Sequence, residues 1–113
     1  MKIYHNPRCS KSRQTLEILI KKNVNFEIVE YLKDKLSIND LEEIIEKLEI
    51  NTIELVRKNE SVWKEKFKDR KLKDKEIVQA MIENPKIIER PIVINGNKAI
   101  LGRPPENVLK IID

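Results

Sequence analysis

Two short β-prone segments flank an amphipathic helix at the start of the chain, and this order restricts the possible folds more than any other feature. Residues 1–5 and 25–31 carry β-branched and aromatic side chains and are predicted to be strands. From about Ser10 onward, apolar residues recur at helical spacing: Leu16, Leu19 and Ile20. A β-α-β unit generally places its two strands parallel, with a right-handed crossover. The sequence therefore predicts an α/β fold.

A β-hairpin and a final helix are predicted at the other end of the chain. Residues 91–94 and 98–101 are strand-like runs around the Asn-Gly pair at 95–96, a dipeptide typical of tight hairpins. The Gly-Arg-Pro-Pro segment 102–105 then turns the chain and can begin a helix at either proline. This end of the chain thus adds a β-β-α unit to the opening β-α-β unit.

The middle of the chain, residues 32–84, is predicted to be a helical insertion. Ser37 and Asp40 resemble a capping box, and an apolar stripe follows them: Ile38, Leu41, Ile44, Ile45 and Leu48. Three further features are predicted there: a short helix over 52–57, a basic irregular stretch over 58–75 and a helix from Asp74 to about Ile82. The sum of these elements is a thioredoxin-like (glutaredoxin-like) fold with an insertion between its two halves.

The length of 113 residues predicts a single domain. The order of the elements makes this a thioredoxin-like domain over residues 1–113, with a small mixed sheet flanked by helices. The N-terminus lacks the apolar stretch of a signal peptide, and no apolar run reaches the roughly 20 residues of a transmembrane helix. We therefore expect a cytoplasmic protein without a membrane partner. A net charge of +4 with one Trp, two Tyr and two Phe favours Lys-rich solvated helix faces over nucleic-acid binding. We also expect a monomer.

The chain has one cysteine, Cys9, which lies between the first predicted strand and the first predicted helix. One cysteine excludes an intramolecular disulfide, and one cysteine with one histidine gives little to bind a metal, so none is expected. At a helix N-terminus, free N–H groups and the helix dipole favour a thiolate and bind anions. Arg8, Lys11 and Arg13 add positive charge, and His5 can add more. We therefore predict a reactive nucleophile in preference to a buried structural cysteine.

Two serines follow the cysteine. Ser10 and Ser12 can either cap the helix or donate to a bound anion, and the sequence leaves both roles open. Ser12 occupies the second position of a Cys-x-x-Cys pair, so this Cys-x-x-Ser site has no resolving thiol of its own. An outside thiol must therefore resolve any thiol adduct that forms on Cys9.

Two arginines lie on the predicted turns that flank the hairpin. Pro91 follows Arg90 and lacks an N–H group, so it is expected at a sheet edge or a strand start. Thioredoxin-like folds have a cis-proline in this place, although a trans bond stays open. If Arg90 and Arg103 fold back toward Cys9, they form an oxyanion clamp with bidentate donors. Ordinary surface arginines are the equal alternative.

Four segments together resemble the glutaredoxin-coupled, ArsC-like arsenate reductases. Residues 5–16 resemble their catalytic loop, and residues 54–58 resemble their central arginine motif. Residues 89–93 resemble their Arg–cis-Pro strand, and residues 101–106 resemble their C-terminal arginine turn. The match follows the same order along nearly the full chain. In the catalytic loop, Cys-Ser-Lys-Ser stands where members with arsenate activity typically carry Cys-Gly-Thr-Ser.

The resemblance implies that the Cys9 thiolate attacks arsenate. Glutathione, as co-substrate, then attacks the adduct, and glutaredoxin resolves the resulting mixed disulfide as arsenite leaves, with no bound cofactor. His5 would help to hold the thiolate form, and Ser12 would hydrogen-bond to the thiolate or the anion. The arginines that would hold the arsenate are Arg57, Arg90 and Arg103.

Two alternative functions stay open. The same thiolate and arginines suit a glutathione-dependent thiol or disulfide reductase, in which the arginines bind a glutathione carboxylate. A related branch of the fold consists of redox-responsive regulators that dock on RNA polymerase. Those proteins typically carry Cys-x-x-Cys, so Ser12 argues against such a switch in this chain.

Overall fold

The computed structural model describes residues 1–112 and divides into two compact units. The first unit combines Met1–Asp34 with the chain from Arg90 onward, and the second unit is Lys35–Glu89. The second unit covers most of the segment that the sequence predicts as a helical insertion. Within the described residues, no helix is long and apolar enough to cross a membrane.

The first unit contains a four-stranded mixed sheet with the order β2-β1-β3-β4. Its strands are β1 (Lys2–Tyr4), β2 (Glu27–Val29), β3 (Ile92–Asn95) and β4 (Lys98–Leu101). β1 pairs parallel with β2 and antiparallel with β3, and β3 pairs antiparallel with β4. The predicted β-α-β and β-β-α halves therefore share one sheet, and the expected fold class is confirmed.

β1 and β2 are shorter than the predicted strand segments 1–5 and 25–31, because the backbone pairing between them covers only three residues of each. The parallel ladder runs only from Lys2 opposite Glu27 to Tyr4 opposite Val29. The predicted hairpin is present; Asn95 pairs with Lys98, so the asparagine of the Asn-Gly pair belongs to β3 and the two loop residues are 96 and 97. The first loop residue, a glycine, has φ +62, a region that other residues rarely adopt.

Helix α1 (Ser10–Lys21) and a C-terminal 3₁₀ helix (Pro105–Ile111) pack on the sheet. α1 ends where Asn23 adopts φ +60, the left-handed conformation that asparagine tolerates. Leu19 of α1 is fully buried, whereas Ile20 is 59% exposed and does not belong to the predicted apolar stripe. The last helix is a 3₁₀ helix over its whole length. The core of this unit consists of Ile3, Leu19, Val93, Val108 and Ile111.

The second unit is helical, as the sequence predicts. Its α-helices are α2 (Ile38–Leu48), α3 (Ser61–Lys66) and α4 (Asp74–Glu83), and its 3₁₀ helices are Thr52–Leu55 and Pro85–Ile87. The predicted capping box of α2 is present: Ser37 Oγ accepts from the Asp40 N–H at 3.0 Å, and the Asp40 carboxylate accepts from the Ser37 N–H at 3.1 Å. The buried face of α2 is narrower than predicted, because Ile38 in its first turn is 45% exposed.

Two expectations for this unit need correction. Residues 58–75 are not irregular throughout, because α3 forms there and brings the rings of Trp63 and Phe67 to 5.5 Å between centroids. Asp74 is the first residue of α4 and does not cap it. The N-cap residue is Lys73, whose N–H donates to the Glu76 carboxylate at 2.9 Å. At α4, the Glu76 carboxylate in the first turn thus defines the start of the helix.

Candidate functional site

The loop between β1 and α1 fixes Cys9 as the residue that begins α1. The Cys9 N–H donates to the Asn6 carbonyl at 3.0 Å, and the Arg8 N–H donates to the Asn6 side-chain oxygen, also at 3.0 Å. The Cys9 carbonyl accepts from the Arg13 N–H at 3.0 Å, which is the first hydrogen bond of the helix. Cys9 itself has extended backbone angles, as an N-cap residue has. The thiol therefore lies at the positive end of α1.

The Ser12 hydroxyl contacts two residues of the same loop. It accepts from the Asn6 N–H at 3.0 Å and lies 2.6 Å from His5 Nδ1. Ser12 is fully buried, and His5 and Asn6 are nearly so. The expected contact of this hydroxyl with the thiolate or the anion is therefore replaced by a contact with the loop. It is the backbone N–H of Ser12 that acts on the Cys9 sulfur.

Two arginines from the other end of the chain reach the sulfur. Arg103 Nη2 lies 3.4 Å from Cys9 Sγ, and Arg103 Nε donates to the Arg90 carbonyl at 2.7 Å. The Arg90 side chain also hydrogen-bonds to the thiolate. The peptide bond between Arg90 and Pro91 is cis. The structure thus brings together the cysteine and two of the three arginines that the resemblance implies.

These neighbours favour the charged form of the cysteine. Burial alone raises the pKa of Cys9, but hydrogen bonds from the Ser12 N–H and the Arg90 side chain, the charge of Arg103 and the Lys11 N–H outweigh it. The net effect is a Cys9 pKa below its ordinary value of 9.0. Cys9 is only partly buried, so a thiolate there can reach a reagent from solution. The arrangement combines a nucleophile with donors for a small anion.

His5 differs from the expectation that it adds positive charge. Burial lowers the pKa of His5 below its ordinary value of 6.5, and this effect exceeds the opposing attraction to Glu30; repulsion from Arg13 lowers it further. A neutral imidazole at pH 7 supplies no charge to the thiolate. The His5 ring instead contacts the Ser12 hydroxyl, and the backbone N–H of His5 donates to the Val29 carbonyl of β2 at 2.9 Å.

Arg13 and Arg57 occupy other positions. Arg13 is exposed, and its Nη1 donates to the Pro7 carbonyl at 3.1 Å, so it binds the loop. Arg57 belongs to the second unit, where its N–H donates to the Ile87 carbonyl at 2.7 Å beside the antiparallel bridge of Val56 with Ile88. Within residues 1–112, Arg57 Nη1 is buried and has no hydrogen-bond partner. Its part in anion binding stays a prediction.

Sequence reasoning assigned no role to Thr15 and Gly102, which the structure places behind the site. Thr15 is fully buried in α1, and Gly102 lies against it immediately before Arg103. The chain has only two glycines, and this rarity is the sequence signal that could have singled out Gly102. Among the described residues, no group of three or more His, Cys, Asp or Glu side chains could hold a metal ion.

Comparison with known proteins places the chain among close relatives. It is 46% identical to uncharacterized protein YfgD of Escherichia coli (strain K12), over 99% of this chain and 96% of the relative. It is 45% identical to an arsenate reductase of Haemophilus influenzae, over 97% of both chains. The solved structure of an arsenate reductase from Vibrio cholerae superposes with a TM-score of 0.94, at 40% identity, over 99% of this chain and 98% of that one.

The family assignment agrees with the fold and with the cysteine loop described above. The model of the ArsC family matches residues 4–111, which include the cysteine loop and both arginines near the sulfur. A likeness over so much of the chain, at identities above two fifths, does not depend on a single motif. The chain belongs to the ArsC family.

Proposed function

We propose that this protein is an arsenate reductase in which Cys9 is the nucleophile. The observation that carries the proposal is the position of the Arg103 guanidinium, 3.4 Å from a Cys9 sulfur at the N-terminus of a helix. A lowered Cys9 pKa provides a thiolate closer to neutral pH, and the same donors suit a tetrahedral dianion. The names of close relatives, arsenate reductases among them, support the choice of substrate.

The proposed reaction begins with the Cys9 thiolate attacking arsenate. A sulfur–arsenic bond forms, and an arsenate oxygen leaves as water after it takes up protons. A glutathione thiolate then attacks the Cys9 sulfur, and the electron pair of the sulfur–arsenic bond stays on arsenic. Arsenic is thereby reduced from As(V) to As(III) and leaves as arsenite, while Cys9 and glutathione form a mixed disulfide. A glutaredoxin thiol attacks the glutathione sulfur and releases the Cys9 thiolate.

The need for an outside thiol follows from the chain itself. Cys9 is its only cysteine, so no second thiol of this chain can attack the mixed disulfide. Ser12, in the second position of the Cys-x-x-Ser motif, points its hydroxyl into the loop and is fully buried. We therefore propose glutathione as co-substrate and glutaredoxin as partner, with no bound cofactor.

Arsenate would be held by the donors that already surround the sulfur. Arg90 and Arg103 act on Cys9 from one side, and the N–H groups of Lys11 and Ser12 act from the helix. A guanidinium offers paired N–H donors that match two oxygens of a tetrahedral anion. Arg57 is the third proposed ligand, on the resemblance of residues 54–58 to the central arginine motif of the family.

The test is arsenate-dependent NADPH oxidation in an assay coupled through glutathione, glutaredoxin and glutathione reductase. We expect turnover by the wild-type protein and none by Cys9→Ser. Arg57→Ala and Arg90→Ala should each lower kcat/KM by about 10- to 150-fold, since a charge-assisted hydrogen bond contributes about 1.5–3 kcal/mol. Arg70→Ala is the matched control, because Arg70 is exposed and lies over the Phe67 ring.

The same assay separates this proposal from the thiol–disulfide alternative. If the wild-type protein reduces a glutathione mixed disulfide rapidly but does not turn over arsenate, the arsenate assignment is wrong and a general reductase remains. If another thiol supports arsenate reduction and glutathione does not, arsenate is confirmed as the substrate and glutathione is wrong as the co-substrate. Loss of activity in Cys9→Ser is expected under each scheme, so the comparison of arsenate with the mixed disulfide as substrate distinguishes them.

A further inference from the structure

Gly102, which precedes Arg103, lies where no side chain fits. A Cβ at this position would be 2.5 Å from Thr15 Oγ1, 2.7 Å from Pro91 Cγ and 3.1 Å from Thr15 Cγ2. Non-bonded heavy atoms prefer separations of about 3.5–4.0 Å, so something must move by about 1 Å to admit a methyl group. The Gly102 N–H also donates to the Pro91 carbonyl at 2.9 Å. The constraint on this glycine is therefore one of space.

Thr15 forms the other wall of this contact. It is fully buried, and its hydroxyl donates to the Lys11 carbonyl at 2.9 Å and lies 3.4 Å from the Gly102 carbonyl. Both partners are backbone groups, one in the first turn of α1 and one 87 residues further along the chain. Thr15 therefore connects the helix that begins at Cys9 directly to the segment that carries Arg103.

The placement of Arg103 depends on this contact. Its guanidinium is held at two points, by the Arg90 carbonyl at 2.7 Å and by the Cys9 sulfur at 3.4 Å. Its backbone follows Gly102 directly, so a movement of about 1 Å at Gly102 is carried to Arg103. The attraction between the guanidinium and a thiolate 3.4 Å away weakens when that distance increases.

We propose that Thr15 and Gly102 are positioning residues that set the Arg103 guanidinium on the Cys9 sulfur. Neither residue needs to touch the substrate, because both act through the backbone that carries Arg103. The inference rests on the proposed role of Cys9 as the nucleophile. Its test measures the ionisation of Cys9 and needs no arsenate, so it can fail while the proposed function holds, or the reverse.

The test is the pH dependence of Cys9 alkylation by iodoacetamide, which reports this thiol alone because the chain has no other. In Gly102→Ala we expect the midpoint to move upward toward that of Arg103→Ala, and the rate at pH 7 to fall about threefold or more. Gly96→Ala is the matched control. Gly96 is the other glycine; it has φ +62, and a Cβ there would meet nothing within 4 Å. That variant should lose stability and keep the wild-type alkylation profile.

Double variants test whether the effect passes through Arg103. In an Arg103→Ala background, Gly102→Ala should cause no further change in the alkylation profile. Adding Thr15→Ala to Gly102→Ala removes two of the three atoms that the new Cβ would meet. The alkylation profile should therefore return part of the way to that of the wild-type protein. A folded Gly102→Ala protein with a wild-type profile overturns the proposal, and so does an effect that persists in full without Arg103.

Thr15→Val keeps the proposal testable if Gly102→Ala does not fold. Valine preserves the shape of threonine and removes only the hydroxyl, which lies 3.4 Å from the Gly102 carbonyl. We expect a smaller upward shift of the same midpoint than Arg103→Ala produces. A Thr15→Val protein with an unchanged alkylation midpoint contradicts the positioning role of Thr15.

Discussion

At the scale of single residues, the acidity of Cys9 comes from only some of the groups that the sequence suggested. Arg8, Lys11 and Arg13 are the nearest cations in sequence, yet the side chains that lower the Cys9 pKa belong to Arg90 and Arg103. Lys11 contributes through its backbone N–H and not through its ammonium group. Burial of the sulfur opposes all of them. A thiolate is favoured because several donors converge on one atom at once.

The buried histidine gives a pH prediction at this scale. Because burial lowers the pKa of His5 below 6.5, the unfolded chain binds its proton more readily than the folded chain does. The contribution of His5 to the free energy of unfolding is therefore fully present above pH 6.5 and is lost as the pH falls below it, by at most about 1.4 kcal/mol per pH unit. Urea unfolding at pH 7.5, 6.5 and 5.5 measures this slope.

Two comparisons make the prediction specific. His5→Gln should show a flatter dependence of stability on pH between 7.5 and 5.5, because glutamine does not titrate. His5 is the only histidine, so its ring protons give a single NMR titration curve in the wild-type protein. A midpoint at or above 6.5 in the folded protein contradicts the predicted direction.

At the scale of elements, helix starts organise this protein. α1 begins at a cysteine whose side chain makes no close capping hydrogen bond, so N–H groups of its first turn remain for a thiolate or an anion. α2 begins at a serine that satisfies those groups through a capping box. The first-turn N–H groups of α2 thus bond to its own side chains, whereas those of α1 are available to a ligand.

The capping box of α2 predicts a measurable loss of stability. Ser37→Ala removes the hydroxyl that accepts from the Asp40 N–H at 3.0 Å, and should lower the free energy of unfolding by about 1 kcal/mol. Ser37→Asp, which keeps an acceptor at the N-cap, should lose much less. Denaturant unfolding monitored by far-UV circular dichroism measures both variants. Equal losses in the two variants rule out a capping role for the hydroxyl.

At the scale of the whole molecule, each unit has its own apolar interior. In the first unit, residues of the sheet, α1 and the C-terminal 3₁₀ helix form one cluster. In the second unit, α4 supplies Ile77, Val78 and Met81 to the buried side, and α2 supplies Leu41 and Ile44. The first cluster assembles residues from both ends of the chain, on either side of a segment that forms the second unit.

Neighbouring residues of α1 test the first interior. Leu19 is fully buried in the cluster, whereas Ile20 is 59% exposed, although both are large and apolar. Leu19→Ala should lower the free energy of unfolding by about 2–5 kcal/mol, because it removes buried methyl groups and leaves a cavity. Ile20→Ala should change it by about 0.5 kcal/mol or less. Similar losses at the two positions, measured by denaturant unfolding, contradict this packing.

The sequence by itself determined what depends on near neighbours. The order of strands and helices, the Ser37–Asp40 capping box, the hairpin and the start of α1 at Cys9 all follow from signals a few residues long. Such signals act through local backbone geometry, which a short segment can fix alone. Where they were misjudged, as at the start of α4, the error is one residue: Lys73 and not Asp74 is the N-cap.

Only the tertiary structure decided which of the charged and polar residues act on Cys9. Arg103 contacts a sulfur 94 residues away, and Thr15 reaches Gly102 across 87 residues. Ser12 is only seven residues from His5, yet both side chains are buried, and burial lowers the pKa of the histidine. Distance in sequence carries no information about such contacts, because they exist only after the sheet brings both ends of the chain together. The physical reason is that burial and converging charge are properties of the packed structure and not of any segment.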